Sequence, residues 1–361
     1  MKIICWITED WALDTDLNIV PFLKKMELYQ IHWYVLTKNK KELNTNFSSL
    51  YKVINIPYRF RDPRIIGFFM NLFADIHLRN ADIIYSSAMG IPFYYPVLLN
   101  YKKKNQPLIH AAHNVIPYSV WPLSMRLTVK YLFNINNNFQ FFSRFTYKWF
   151  LERYHNKNAF YAPMIIKNYG NIKTNKYCFD KKKINLLFFG NVAGNKRLDL
   201  LIEAVKRLPV TIKNKVHLNI CGNCKENKDL YLKQIANDNA ISVFFNRIPD
   251  EDIPELFINS SYLVLPYEDV AQSGPHMIAY NYNLPVIASN LDGFTERIEN
   301  NVNGFIFEKG NLNSLIEVIV KAINIDDVKY IEMKNNLKSY VNDHFSVNAV
   351  AKRYIEYFNS L

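Results

Sequence analysis

Two short segments in the second half of the chain carry residues suited to holding an anion. The first is Gln272-Ser273-Gly274, a turn of small residues that opens a predicted helix at Pro275–Asn283. Small residues at a helix start let an anionic ligand reach the free backbone N–H groups at the positive end of the helix dipole. The pattern therefore predicts a phosphate site at this turn.

The second segment, residues 186–208, is a predicted strand, a loop and a predicted helix that begins near Asn195. The loop contains Gly190, and Lys196 and Arg197 fall in the predicted first helical turn. A cation there is unfavourable beside the helix dipole unless an anion binds. The loop matches neither a dinucleotide fingerprint nor a Walker loop. Two solvated cations at a helix start are the alternative interpretation.

An alternation of strands and helices must position these turns. In the first half we predict strands at Lys2–Thr8, His32–Thr37, Val53–Pro57, Asp82–Ser86 and Pro107–Ala112, with helices at Asn18–Leu28 and Pro63–Arg79. In the second half we predict strands at Ile184–Phe189, Val216–Cys221, Ser242–Phe245, Tyr262–Pro266, Pro285–Ser289 and Phe305–Phe307, with helices at Lys196–Leu208, Lys228–Asp238, Asp250–Ile258 and Pro275–Asn283. This alternation is typical of parallel sheets covered by helices on both faces.

The chain is long enough for two such domains, at 361 residues. We predict a first domain at 1–170, a second at 171–343, and a C-terminal helix at 344–361 that packs back on the first. The stretch from Asn311 to Leu361 should be helical, with breaks near Ile325 and His344. Ligands bind at the carboxyl ends of strands in doubly wound sheets, so a cleft between two facing sheets is the expected site.

Composition favours a cytosolic protein. The four cysteines are too few and too scattered for a secreted disulfide framework, and the N-terminus reaches Glu9 and Asp10 too soon for a signal peptide. The longest nearly uncharged apolar run, Ile65–Ala74, is about half of what spans a bilayer. Cys221 and Cys224 form a Cys-x-x-Cys without a second pair or His pair, so we expect reduced cysteines and no zinc.

The positive charge lies almost entirely in the first half. Residues 1–170 hold 21 Lys+Arg against 10 Asp+Glu, or +11, whereas residues 171–361 hold 23 against 22, or +1. Residues 121–150 combine four cations and ten aromatic residues with no acid. Such a surface suits anionic lipid headgroups. A long aromatic core helix with a basic edge is the alternative, and nucleic acid is disfavoured because no nucleic-acid-binding signature accompanies the charge.

Several segments, in order, resemble family 4 glycosyltransferases. The string FFGNVAGNKRLDLLIEA is similar to their phosphate-binding strand, loop and helix, and residues 265–308, LPYEDVAQSGPHMIAYNYNLPVIASNLDGFTERIENNVNGFIFE, to their donor segment in a Gln-Ser-Gly variant. NRIPDEDIPELFINSSYLVLPY at 246–267 fits the preceding helix and strand, and HNVIPY at 113–118 fits the acceptor-domain loop. The resemblance is close from the middle of the chain to about residue 310 and only in outline before it.

The resemblance implies a GT-B fold with two Rossmann-like domains facing across a cleft. It implies a nucleotide-diphosphate sugar, UDP- or GDP-linked, as substrate, and neither a metal nor another cofactor. Lys196 would contact the diphosphate together with the amides of Ser273 and Gly274, while Gly190 would allow close backbone approach. By the same resemblance, Gly222, Asn223 and Ile248 would lie near the nucleoside, and His113 beside the donor sugar; a structural histidine at a strand end is the alternative for His113.

The chain also departs from the family pattern. Asn191 stands where the family often has an arginine, and the paired glutamates fall on Val270 and Ile278. Glu268 could supply a carboxylate to the sugar hydroxyls, although an exposed loop acid is the alternative. His276 could replace a polar contact. Glu296 matches an acid common in the family near a helix start, where the dipole alone would also explain it.

The resemblance implies a retaining hexosyltransferase. The basic, aromatic segment suggests that it extends a lipid-linked glycan at the cytoplasmic face of the cell membrane, in capsule, O-antigen or exopolysaccharide synthesis. Three alternatives remain open: a nucleotide-sugar epimerase of the same fold, a catalytically inactive partner subunit, and a sugar transferase acting on DNA.

Overall fold

The computed structural model describes residues 1–38, 49–59, 62–91, 93–113, 123–166, 168–177, 179–224, 226–236, 238–270 and 273–361, with only the backbone for 123–125. The chain divides into two compact units. The first comprises Met1–Ile165 and Phe345–Leu361, and the second comprises Ile166–His344.

Over the described residues, the first unit is built on a parallel sheet of seven strands. In chain order these are β1 (Lys2–Glu9), β2 (Tyr29–Thr37), β3 (Lys52–Asn55), β4 (Ile83–Ser86), β5 (Leu108–Ala112), β6 (Asn138–Phe141) and β7 (Asn158–Tyr161). They lie in the order β3-β2-β1-β4-β5-β6-β7, and every neighbouring pair is parallel. The connecting helices are α1 (Leu13–Asp16), α2 (Val20–Lys25), α3 (Arg64–Asp75), α4 (Tyr94–Tyr101), α5 (Leu123–Ile135) and α6 (Arg144–Leu151).

The second unit repeats the scheme with six parallel strands. They are β8 (Ile184–Phe189), β9 (Val216–Cys221), β10 (Ile241–Phe244), β11 (Tyr262–Leu265), β12 (Val286–Ser289) and β13 (Gly304–Phe307), in the order β10-β9-β8-β11-β12-β13. Its helices are α7 (Leu198–Lys206), α8 (Val210–Lys213), α9 (Lys228–Ile235), α10 (Ile253–Ile258), α11 (Gly274–Asn281), α12 (Asp292–Thr295), α13 (Leu312–Ile323) and α14 (Asp327–Phe345). The central strands read as unbroken apolar runs because both of their faces are covered.

The last helix, α15 (Val347–Ser360), packs against the first unit. Tyr354 and Phe358 are fully buried in the same apolar cluster as Trp6. Tyr354 accepts a hydrogen bond from Gln140 Nε2 at 2.7 Å, and Lys2 Nζ donates to the Phe358 carbonyl at 2.8 Å. The prediction of two doubly wound parallel sheets with a returning C-terminal helix is confirmed.

The structure also differs from the sequence predictions at several elements. Residues 121–150 do not form one long helix, because β6 separates α5 from α6; β6 and β7 were not predicted. The helix predicted at Pro63–Arg79 ends earlier, because His77 adopts the left-handed conformation (φ 50°) shortly after α3. The predicted helix at Lys196–Leu208 starts later, as a 3-10 turn at Gly194–Lys196 precedes α7.

Candidate functional site

Gly190 lies at the centre of the anion-binding region predicted in the second unit. It follows β8 directly, has φ +112°, and donates its N–H to the Cys221 carbonyl at 2.9 Å. A Cβ at this position would lie 3.2 Å from Lys196 Nζ and 3.4 Å from Pro275 Cγ. The two predicted turns therefore meet at Gly190, and a side chain here would crowd the lysine ammonium.

Lys196 places a cation beside Gly190. Its backbone N–H donates to the Ala193 carbonyl at 2.8 Å within the 3-10 turn, and its Nζ lies 5.5 Å from the centre of the Tyr267 ring. Within the part of the chain that the structure describes, no carboxylate forms an ion pair with Nζ, and burial lowers the pKa of this lysine. An anion bound here would offset the cost of burying the ammonium.

Arg197, the next residue, is already neutralised. It adopts the left-handed conformation (φ 46°) and caps α7, so neither it nor Lys196 lies inside the helix. Its Nη1 donates to Glu268 Oε2 at 2.8 Å and its Nη2 to Asp199 Oδ2 at 3.0 Å. Hydrogen bonds to Asp199 and then to Glu268 raise the pKa of the guanidinium. Glu268, predicted to bind sugar hydroxyls, is half of an ion pair.

Hydrogen bonds between two loops hold Lys196 in place. Glu268 donates its N–H to the Asn195 carbonyl at 2.7 Å, and Asn195 Nδ2 donates to Asp269 Oδ1 at 2.8 Å. The loop after β8 is thereby fixed to the loop after β11, the strand next to β8 in the sheet. These bonds position the lysine beside the start of α11.

The start of α11 leaves backbone donors available. The Ser273 hydroxyl accepts the His276 N–H at 3.3 Å as the helix N-cap, and Pro275 has no N–H. Among the described residues, the amides of Ser273 and Gly274 have no acceptor, and a Cβ on Gly274 would meet nothing within 4 Å. Gln272 lies outside the described residues. The positive end of α11 therefore has two backbone donors without an acceptor among the described residues.

A pocket of about 330 Å³ opens beside these turns, at the carboxyl ends of β8, β9 and β10. Five predicted donor-binding residues line it together with two others: Phe189, Gly190, Asn191, Gly222, Asn223, Arg247 and Ile248. Gly222 has φ +144°, and a Cβ there would lie 2.1 Å from the Gly190 carbonyl oxygen. The floor of the pocket is thus bare backbone.

Sequence reasoning missed Arg247, an exposed cation in this pocket's lining. It precedes Ile248, which was predicted from the resemblance. Within the described ranges, no carboxylate forms an ion pair with it. The available signal was a cation two residues before Pro249 in the loop after β10, where parallel strands expose ligand-binding side chains.

Two predicted site residues lie inside the second unit instead. His276 is fully buried, its ring packs 4.3 Å from Tyr280, and neither ring nitrogen has a hydrogen-bond partner in the described part of the chain. Burial, with the nearby Arg297, lowers the pKa of His276 well below its usual value. Glu296 follows α12, so it ends a helix instead of starting one, and it pairs with Arg297 Nε at 3.0 Å.

His113 follows β5 at the carboxyl edge of the first sheet. Its ring stacks on Phe142 with centroids 4.1 Å apart and meets the Trp11 indole edge-on at 4.8 Å. Burial lowers the pKa of His113 to about 3, so the ring is neutral at physiological pH. The aromatic cage fixes its orientation.

Cys221 and Cys224 are buried free thiols, and burial raises the pKa of Cys221. Over the residues described here, no group of three His, Cys, Asp or Glu side chains is arranged to hold a metal ion. In that same part of the chain, no helix is both long and apolar enough to cross a bilayer.

The chain is similar to a known family and to several known proteins. Residues 171–343 match the family model for glycosyl transferases group 1. A protein of Klebsiella pneumoniae, named as an uncharacterized 41.2 kDa protein in the cps region, is 24% identical over 189 residues, covering 52% of this chain and 49% of its own length. The poly(ribitol-phosphate) alpha-N-acetylglucosaminyltransferase of Staphylococcus aureus (strain COL) is 28% identical over 198 residues, covering 54% and 39%. The chain spans half or less of these curated relatives.

The whole fold has a solved counterpart. The crystal structure of Anabaena Alr3699/HepE in complex with UDP and glucose superposes with a TM-score of 0.74 at 15% identity and covers 100% of both chains. The fold is therefore GT-B, as predicted. The glycosyltransferase class is supported by the group 1 match, which begins five residues into the second unit and ends one residue before its last.

Proposed function

We propose that this chain is a retaining glycosyltransferase of family 4, in a variant with a Gln-Ser-Gly loop and without the paired glutamates. It moves a hexosyl group from a nucleotide-diphosphate sugar to a glycan acceptor. The observation that carries the proposal is the Lys196 ammonium, which has no carboxylate partner among the described residues and lies, with the first turn of α11, beside Gly190. A diphosphate offers the charge and the acceptor oxygens that this arrangement lacks.

The main chemical requirement of the reaction is to stabilise the diphosphate leaving group of the donor. The bond between the anomeric carbon and the diphosphate oxygen breaks, and the acceptor hydroxyl attacks the same face, its proton passing to the departing phosphate. Lys196 and the amides of Ser273 and Gly274 stabilise the negative charge that develops on this oxygen. No protein nucleophile is assigned, so retention rests on attack guided by the leaving phosphate.

The nucleoside would occupy the pocket lined by Gly222, Asn223 and Ile248, where bare backbone lets a flat base approach. Arg247 in the lining would add a cation near the sugar–phosphate edge. UDP is our first expectation, because the Anabaena neighbour is named in complex with UDP and glucose. For His113 we propose a hydrogen bond from its uncharged ring to a sugar hydroxyl.

We propose an acceptor carried on lipid at the cytoplasmic face of the membrane, in capsule, O-antigen or exopolysaccharide assembly. The cps-region relative supports a polysaccharide pathway. Residues 121–150 would contact anionic lipid through α5, where Leu127, Tyr131 and Ile135 are exposed at a spacing of four residues beside exposed Lys130. An exposed apolar stripe next to cations is suited to a membrane surface.

Nucleotide binding tests the donor site. We expect UDP or GDP to raise the melting temperature of the wild-type chain, because a ligand that binds only the folded state stabilises it. Lys196→Ala should lose most of this shift, whereas Lys181→Ala, an exposed lysine outside the site, should keep it. If neither nucleotide raises the melting temperature, the proposal is wrong.

Turnover separates an active enzyme from an inactive partner subunit. With UDP-sugars and a membrane extract as acceptor, we expect release of UDP and a product of unchanged anomeric configuration by NMR. Nucleotide binding without any release of UDP would instead favour the non-catalytic subunit, which the apolar residues at the positions of the paired glutamates also suggest. An isomerised donor in the absence of acceptor would favour the epimerase.

Vesicle flotation tests the membrane contact. At low salt we expect the chain to float with anionic vesicles and to be released at high salt, because electrostatic attachment is screened. Leu127→Asp on α5 should abolish flotation. Leu230→Asp, at a side chain 65% exposed on α9 in the second unit, is the matched control and should float as the wild type does.

A further inference from the structure

The β1–α1 loop presents an exposed indole that the donor chemistry does not use. Trp11 lies in the 3-10 turn immediately after β1, and 49% of its surface is exposed. Trp6 and Trp33, by contrast, are buried in the core of the same unit. An exposed tryptophan at the carboxyl edge of a parallel sheet leaves a large rigid apolar surface where ligands bind.

The Trp11 indole packs on one buried ring, which in turn packs on a second. His113 meets Trp11 edge-on at 4.8 Å, with an angle of 74° between the ring planes. Phe142, fully buried, stacks on His113 at 4.1 Å. Because both supporting rings lie inside the unit, the position of the indole is set by packing, and a ligand would meet a preorganised surface.

The stretch of chain that carries Trp11 is acidic, although the first unit as a whole is basic. Residues 3–23 contain four acids and no Lys or Arg. Two of the acids flank the indole in sequence: the Asp10 carboxylate accepts from Thr37 Oγ1 at 2.7 Å, and Asp14 is exposed. Carboxylates accept hydrogen bonds from hydroxyl groups and repel phosphates and uronic acids.

We propose that Trp11 is the platform of an acceptor subsite for a neutral sugar, and this inference rests on the function proposed above. The C–H face of a pyranose would lie on the indole, while its hydroxyls would donate to the neighbouring carboxylates. The acceptor glycan would therefore end in an uncharged sugar, even though the basic face of the same unit attracts anionic lipid.

Saturation-transfer NMR with a matched pair of probes tests this subsite on the full chain. Methyl β-D-glucopyranoside is neutral, and methyl β-D-glucuronide differs from it by a carboxylate at C6. We expect the neutral glycoside to bind about tenfold more tightly than the charged one, a difference of about 1.4 kcal/mol. Comparable or tighter binding of the glucuronide, or no signal from the neutral glycoside, would overturn the proposal.

Variants place the signal on the indole. Trp11→Ala should weaken binding of the neutral glycoside about tenfold, and Trp11→Phe should retain most of it, because phenylalanine keeps an aromatic face for the sugar. Phe93→Ala removes another exposed aromatic side chain of the first unit, 44% exposed, and should change nothing. Unchanged binding in Trp11→Ala would overturn the assignment.

The UDP thermal shift, measured on the same samples, distinguishes the two proposals. Trp11→Ala should keep the full UDP shift relative to its own ligand-free melting temperature, since Trp11 lies in the unit that does not carry the diphosphate turn. A wild-type chain that binds the glycoside but no nucleotide would refute the proposed function while leaving the sugar subsite standing.

Discussion

In the first sheet, the amides of Met89 and Gly90, which follow β4, both donate to Glu9 Oε2 at 2.9 Å, and Glu9 ends β1. In the second sheet, β8 and β11 hold the corresponding central positions. There Gly190 follows β8, and the helix after β11 starts with two amides that have no acceptor in the described part of the chain. In the first sheet a carboxylate of the chain itself accepts from the backbone donors. In the second sheet an anionic ligand could take that place.

The same central strand arrangement therefore occurs with two different chemical environments at the carboxyl ends of its strands. In doubly wound parallel sheets, backbone N–H groups are exposed at the carboxyl ends of the two strands that flank the topological switch point. In the first unit the buried Glu9 carboxylate accepts from these donors, so none of the charge at this position is left for a ligand. In the second unit glycine and lysine replace the acid, so the edge suits an anionic ligand.

The largest expected effect is on the backbone of the second edge. We expect Gly222→Ala to lower the free energy of unfolding by about 4 kcal/mol, because an alanine Cβ would overlap the Gly190 carbonyl and φ +144° strains any L residue. Urea unfolding measures this change in the free energy of unfolding. Gly274→Ala, where a Cβ meets nothing within 4 Å, is the control and should change stability by less than about 1 kcal/mol. Equal effects of the two would contradict the close approach.

Next in size is the loss of the cation at the same edge. Lys196→Ala should lower turnover by about 10²–10³, or about 3–4 kcal/mol in activation free energy, as removal of a preorganised donor does. Steady-state release of UDP measures this loss, with Lys181→Ala as the control. Near-normal turnover would remove Lys196 from the site and leave the second edge without its distinguishing charge.

Removing the internal carboxylate should make the first edge resemble the second. Glu9→Ala leaves the Met89 and Gly90 amides without their acceptor, and we expect a loss of about 3 kcal/mol in unfolding free energy. Part of this loss should be recovered in sulfate, which can bind the freed amides. Asp75→Ala, an exposed acid at the end of α3, should be neutral and show no sulfate effect. A Glu9→Ala variant as stable as wild type would break the comparison.

The smallest effect concerns a second acid of the first edge. Asp16 is buried and accepts from Thr8, Trp6 and Ser87, and burial raises its pKa to about 6. Its protonated form is therefore favoured on folding, and that stability is present below about pH 4 and lost as pH rises through 6. Between these values, the wild type should lose about 2–3 kcal/mol relative to Asp16→Asn.

Chemical unfolding of both proteins across this pH range measures the difference. The absolute stability of Asp16→Asn does not matter, because only the pH dependence reports the titration. A difference between the two proteins that stays flat from pH 4 to pH 6 would mean that Asp16 is ionised throughout.

Much of the fold was predictable because it depends on local patterns. The strands Ile184–Phe189 and Val216–Cys221 were predicted at their observed bounds, since unbroken apolar runs between polar residues mark buried parallel strands. The returning helix α15 was predicted from its apolar spacing. β6 was missed because its four residues lie inside an aromatic run where strand and helix periodicities cannot be separated.

The site was predictable in its backbone and less so in its side chains. Gly190 and Gly222 line one pocket after β8 and β9, and Ser273 caps α11; their roles in donor binding stay predictions. His276 was predicted as a residue that could replace a polar contact, yet its side chain is fully buried. A residue in the first turn of a helix can face either the core or the solvent, and the sequence at the helix start does not show which elements cover each face.

By itself, the sequence determined the order of strands and helices, the two small-residue turns and the uneven charge. The tertiary structure alone decided which of two adjacent cations is available. Arg197 is paired with Glu268, a residue 71 positions away, while Lys196 faces Gly190 without a carboxylate among the described residues. The reason is physical: a charge is neutralised by what lies within a few ångströms in space, and the fold sets those distances.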